Sequence, residues 1–343
     1  MRILVATDFS PRSQRAVRRA GILAAQSRGT VILMHVVDGP GGRETSRDIR
    51  EAQRMTVEQV AVVPELYRVP CEPLVVLGCP SDEIRSAAGA HDVDLIVVGS
   101  SHRAGSRTAG RTVGNLVRSA PCPVLVARRF AAFPYARVLI PVDLSQASAR
   151  ALRYADSLTL VDRAHVTVLH AFEAPGKSKL SGFGVGRDQI DSYVEACRSR
   201  STEDVETLLT NGGLANREWS RRIEEGSPTE AITGLAERIP SDLVVIGTHA
   251  RTGLRKAFLG SVTEDVLLTA GPDVLVVPPP RPPLERRSRL PTRAGWPGGR
   301  PLTSSLANGW VFATGRPTSA KPYHAAGASP DLQSVASHHR AQP

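Results

Sequence analysis

The chain has no C-x-x-C pair, and its four cysteines (Cys71, Cys79, Cys122, Cys197) show no ligand-like spacing with histidine. That argues against a disulfide framework or a zinc site and for a reducing compartment. No stretch approaches the roughly 20 apolar residues that span a bilayer. The N-terminal MRILVATDFS is too short in apolar length for a signal peptide and lacks a cleavage pattern. A cytoplasmic protein with no membrane contact is expected. The lysine and second glycine of a Walker loop are also missing.

What is present is enough for real cores: 41% of the 343 residues are hydrophobic, a length that suggests about two domains. The net charge of +10 points toward nucleic acid only until its location is read. From Arg281 onward there are nine Lys/Arg and two acids, so the tail carries +7 and the rest of the chain +3. Residues 280–343 are rich in Pro, Gly, Arg and Ser without periodicity, and a disordered tail is expected there. Any contact with nucleic acid would be weak and through this tail.

Self-comparison reveals a repeat. ILVATDFSPRSQRAVRRA (from Ile3) aligns with VLIPVDLSQASARALRYA (from Val138), and GCPSDEI…DVDLIVVGSS with GSPTEAI…PSDLVVIGTH. CPVLVA (from Cys122) then matches PDVLVV (from Pro272). Each copy alternates short apolar runs with amphipathic stretches. Strands are expected near 2–6, 30–36, 72–77, 93–98 and 123–127, then near 137–142, 165–171, 217–224, 242–246 and 273–277. Runs such as DLVVI lack alternation, as in parallel strands covered on both faces. Strand–helix alternation of this kind gives open α/β sheets with right-handed crossovers. Domains at 1–130 and 136–279 follow. The second copy is longer in its middle. Its insertion, Ala174 to Gln189, reads as a flexible surface loop, since Gly182-x-Gly184-x-Gly186 is not a dinucleotide fingerprint.

In such sheets ligands bind at the carboxyl ends of strands, where strand order reverses. Asp143 and Gly247 stand at such ends, followed by a basic loop to Leu259 and by Gly260-Ser261 at a helix start. SVTE (Ser261 to Glu264) reads as a capping box, which needs no ligand. Ser145 and Ser10 read as helix caps after Asp143 and Asp8. Glycines beside a helix N-terminus also suit a phosphate, because backbone N–H groups and the helix dipole favour an anion. An aspartate there can accept a ligand's hydrogen bond.

The order LIPVDLS…VTVLHA…EGSPTEAI…SDLVVIGTHARTGLRKAFLGSVTEDVLLTAGPDVLVV resembles the universal stress protein family, over roughly residues 1–278. That family carries G-x-x-G, nine residues, then G-S/T. Here Gly247 is the first glycine, Ala250 stands at the second, and Gly260-Ser261 closes the pattern. The resemblance implies a tandem protein of two open five-stranded parallel sheets, each of order 3-2-1-4-5 with helices on both faces. It implies ATP, with or without Mg2+, held by Pro141, Val142, Asp143, Gly247, His249, Arg251, Gly260, Ser261 and Val262. It also implies that the last strands build a pseudo-dimer of the two halves and leave a homodimer open. The first copy departs further: His102 stands at the second glycine, the loop is two residues shorter, and Arg111 follows Gly110. A narrowed, structural first copy is expected.

Two function classes remain. One is an ATP-binding stress-response regulator that passes its state to an unknown protein partner. The other is a tandem scaffold without nucleotide. No catalytic Ser/His/Asp set with a reason to meet is apparent, so at most slow ATP hydrolysis is expected. His35 and His170, at matched strand ends, read as shared packing.

Overall fold

The computed structural model describes residues 1–38, 43–100, 110–158, 161–250 and 257–279, which belong to one compact unit. The tail from residue 280, and with it the expectation of disorder there, lies outside the described residues, as do His102, Arg251, Arg255 and Lys256.

The first half runs β1 (Arg2–Thr7), α1 (Pro11–Ser27), β2 (Thr30–Val37), α2 (Arg43–Val62), β3 (Cys71–Leu77), α3 (Pro80–Ala90), β4 (Leu95–Gly99), α4 (Arg111–Ser119) and β5 (Val124–Ala127). The second runs β6 (Arg137–Val142), α5 (Gln146–Ser157), β7 (His165–Phe172), α6 (Lys177–Gly182), α7 (Arg187–Asn211), β8 (Ser220–Glu225), α8 (Pro228–Arg238) and β9 (Leu243–Gly247). It continues through a two-residue pair, β10 (His249–Ala250) with β11 (Ala257–Phe258), to α9 (Ser261–Thr269) and β12 (Asp273–Val277).

Each half has the order 3-2-1-4-5, and the five strands of each half pair in parallel, while the short β10–β11 pair apart from the sheet is antiparallel. The two halves are not separate sheets, however. β5 and β12 pair antiparallel, Leu125 opposite Leu275, and join the halves into one ten-stranded sheet. The physical reason is the edge: two apolar strands, VLVA and DVLVV, would otherwise leave unpaired backbone groups in a buried face. The outer edges are different. β8 reads SRRIEE and β3 carries Pro73, both of which discourage further pairing.

Alternate residues of the buried strands feed two cores. Ile3, Val5, Val138 and Ile140 pack beneath α1 and α5 on one face, while Leu4, Ile96, Leu139 and Val244 pack with residues of α4, α8 and α9 on the other. Both cores are continuous across the seam.

At the seam, Asp273 opens β12 with no solvent exposure. Its carboxylate accepts from Tyr135 Oη (2.7 Å), from the backbone N–H groups of Arg128 (2.8 Å) and Arg129 (3.0 Å), and from Arg19 Nε (3.2 Å). The Arg19 guanidinium also lies over the Tyr135 ring. Burial, with Asp273 adding to it, pushes the Tyr135 hydroxyl well above its ordinary value, so it remains a donor.

The insertion differs from the flexible loop expected. It folds into α6, and Leu180 and Val185 pack against Phe172, Ile190 and Val194. Apolar residues among its glycines give it a small core of its own.

Candidate functional site

β6 and β9 are the neighbours at the switch point of the second half. Their carboxyl ends open onto a cleft of about 350 Å³. Pro141, Val142 and Asp143 form one wall, Leu169, His170 and Ala171 of β7 the next, and Gly247 and His249 the side beyond β9. Pro228 and Ile232 of α8 close the apolar floor with Ile246, and Gly260 to Thr263 bring in the start of α9. Eight of the nine residues singled out from the sequence thus surround one space. Of the lining that sequence reading did not single out, Leu169, His170, Pro228 and Ile232 fall inside the repeated blocks VTVLHA and GSPTEAI.

Asp143 is set by its turn. Leu144 adopts the left-handed region at φ 62°, an uncommon backbone for a bulky residue; Phe9 does the same at φ 60° in the first half. The turn is held because Asp143 Oδ1 accepts from the backbone N–H (3.1 Å) and the hydroxyl (2.5 Å) of Ser145. Ser145 then caps α5 by accepting from the N–H groups of Ala147 and Ser148, as expected. Ser10 plays the same part for α1, accepting from Ser13. Burial raises the Asp143 carboxyl, but hydrogen bonds from Ser145 and Ser148 and the charge of His249 outweigh it and hold the group below its ordinary value. The cleft therefore offers a carboxylate.

His249 meets this turn. Its Nε2 lies 3.1 Å from Ser145 Oγ and 3.6 Å from Asp143 Oδ2. No Ser/His/Asp set with a reason to meet was apparent from the residues alone, yet these three meet. They are not a nucleophilic relay: the Ser145 hydroxyl donates to Asp143 and accepts the helix N–H groups, so it is committed. Arg150 holds the adjacent backbone by donating to Thr248 O (2.8 Å). His170 Nδ1 contacts Val142 O at 2.9 Å, and His35 Nδ1 contacts Thr7 O at 2.8 Å, so this histidine ties neighbouring strand ends in both halves.

Two glycines behave differently from each other. A Cβ on Gly247 would come within 2.6 Å of the Ala147 carbonyl carbon, and one on Gly99 within 2.7 Å of Arg12 O. These glycines let a strand end pack on the first turn of a helix. A Cβ on Gly260 would meet nothing within 4 Å.

The expected capping box does not form. Gly260 is the N-cap of α9, with no side-chain cap, and Ser261 is already helical. Glu264 does not reach back; it pairs with Arg118. A glycine in the extended conformation at Gly260 places Ser261 one position too late to cap. Among the described residues, the first N–H groups of α9 therefore have no side-chain cap beside the cleft, where an anion is favoured.

The first half has a cleft at the matching strand ends, about 710 Å³, lined by Asp8, Arg12, Arg15, Gly99, Thr112 and others. The loop on which its narrowing was expected, with His102, lies outside the described residues. At the start of the following helix the halves differ in chemistry: Arg111 occupies the first helical position where Ser261 stands in the second half. Among the described residues no group of His, Cys, Asp and Glu is arranged to hold a metal ion, and no helix is long and apolar enough to cross a membrane.

Comparison with known proteins agrees with this architecture. The sequence model of the Universal stress protein family matches residues 1–128 and 134–278. Universal stress protein E of Salmonella typhi is 26% identical over 298 residues, covering 81% of this chain and 94% of its own. Universal stress protein MJ0577 of Methanocaldococcus jannaschii is 25% identical over 153 residues, 42% of this chain and 94% of its own. A crystal structure of a universal stress protein from Archaeoglobus fulgidus superimposes with a TM-score of 0.61 at 19% identity, covering 81% of this chain and 98% of its own.

Proposed function

This chain belongs to the universal stress protein family, and from that premise we propose that it is an adenine-nucleotide-binding regulatory protein whose second half holds ATP. The observation that carries the reading is that Asp143 and the uncapped N-terminus of α9 line the same cleft. A purine needs an apolar slot with a polar edge contact. Val142, Leu169, Ile232 and Ile246 supply the slot, and the Asp143 carboxylate can accept from an exocyclic amino group. Phosphates need N–H donors and positive partial charge, which α9 offers at Ser261 and Val262. A cleft of about 350 Å³ lies within the range of small-ligand sites. Asp143 is the one carboxylate in the described lining, so Mg2+ would arrive with the triphosphate rather than on a protein site.

Binding rather than turnover is the proposed role. The hydroxyl nearest the histidine, Ser145, is spent on its turn and cap. The nucleotide would act by changing what the second half presents to a protein partner.

A thermal-shift titration with ATP and Mg2+ tests this. Saturation at about 100 Kd should add roughly 2.7 kcal/mol to the stability. No shift at millimolar ATP would favour a scaffold working through protein contacts alone.

A further inference from the structure

The seam places α4 of the first half against β11, just before α9 of the second half. Leu259, which follows β11, is buried in the same apolar cluster as Leu116, Val117 and Ala120 of the first half. One polar contact crosses as well. Arg118 Nη2 lies 3.5 Å from Glu264 Oε1, in the first turn of α9.

Glu264 is a mixed asset. An acid in the first turn stabilises a helix, yet it repels an anion arriving at the same N-terminus. We propose that Arg118 of the first half is a positioning residue for the second half's site, offsetting Glu264 so that the start of α9 can take the phosphates of a nucleotide. This rests on the nucleotide reading of that cleft.

The asymmetry of the two halves supports it. α4 has no acid in its first turn, and α9 has no basic residue in its last turn. The countercharge therefore occurs in one direction across the seam, toward the helix argued to meet phosphate. A plainer role exists: Arg118 also donates to Gly114 O of its own helix at 3.2 Å, which suits a cation near a helix C-terminus. That role predicts no dependence on the charge of a ligand.

The two are separated by titrating the full chain calorimetrically with ATP and with adenosine. Wild type, Arg118→Glu, Glu264→Gln and the swapped pair Arg118→Glu/Glu264→Arg are compared. Arg118→Glu should weaken ATP by about fivefold and leave adenosine unchanged, consistent with the modest size of helix-end charge effects. Glu264→Gln should tighten ATP by about twofold, and the swapped pair should recover most of the loss. Equal weakening of ATP and adenosine, or unchanged ATP affinity in Arg118→Glu while wild type binds, overturns the role of Arg118. A wild-type chain that binds neither ligand overturns the nucleotide reading, and this inference with it.

Discussion

The imidazole of His249 stands 3.6 Å from the carboxylate of Asp143, although 106 positions of sequence separate them. It links the β6 turn to β10, so the residue placed to accept a ligand's hydrogen bond also holds the start of β10. Asp143 and Asp8 are both held below the ordinary 3.8. For a depressed carboxylate the sign is fixed: it contributes stability above its unfolded value, and that contribution is lost as pH falls through its folded one. Melting temperature should therefore drop as pH falls below about 4, and Asp143→Asn should flatten part of that drop. Scanning calorimetry from pH 3 to 6 checks this. Parallel curves for wild type and variant would contradict it.

Gly247 and Gly260 should respond oppositely to a side chain. Gly247→Ala drives a methyl into the Ala147 carbonyl and should cost about 1–3 kcal/mol by denaturant melts. At Gly260 there is room, and a serine there would cap α9. Gly260→Ser should gain a few tenths of a kcal/mol while weakening ATP, because the cap and the phosphate compete for the same N–H groups. Higher stability with unchanged affinity would mean that α9 does not meet the ligand.

The seam should depend on one carboxylate. Asp273→Ala leaves the Arg19 guanidinium buried without its partner, with two backbone N–H groups also unpaired. A loss of about 3–5 kcal/mol is expected from urea unfolding. A loss under 1 kcal/mol would show that the halves are held by the β5–β12 apolar contacts alone.

Much of this was legible in the sequence, because the repeat and the unbroken apolar runs fix both the strands and their covering on two faces. Asp143, Gly247 and Gly260 could be found because their places are set by strand ends. That the last strands meet was implied by the family resemblance, but their antiparallel join into one sheet could not be read from the residues themselves: which edge a strand pairs with depends on the surfaces left over after folding. The capping box failed for a local reason, since the pattern S-x-x-E cannot say whether the preceding glycine takes the cap position. The meeting of Ser145, Asp143 and His249 was hidden because it depends on how the β6 turn and the residue after β9 approach each other in space.

The most direct measurement is calorimetric titration of the full chain with ATP, comparing wild type with Asp8→Ala and with Asp143→Ala/Ser261→Ala. Wild type and Asp8→Ala should bind alike, and the double variant should lose binding. Retained affinity in the double variant together with abolished binding in Asp8→Ala would contradict the placement of the nucleotide in the second half.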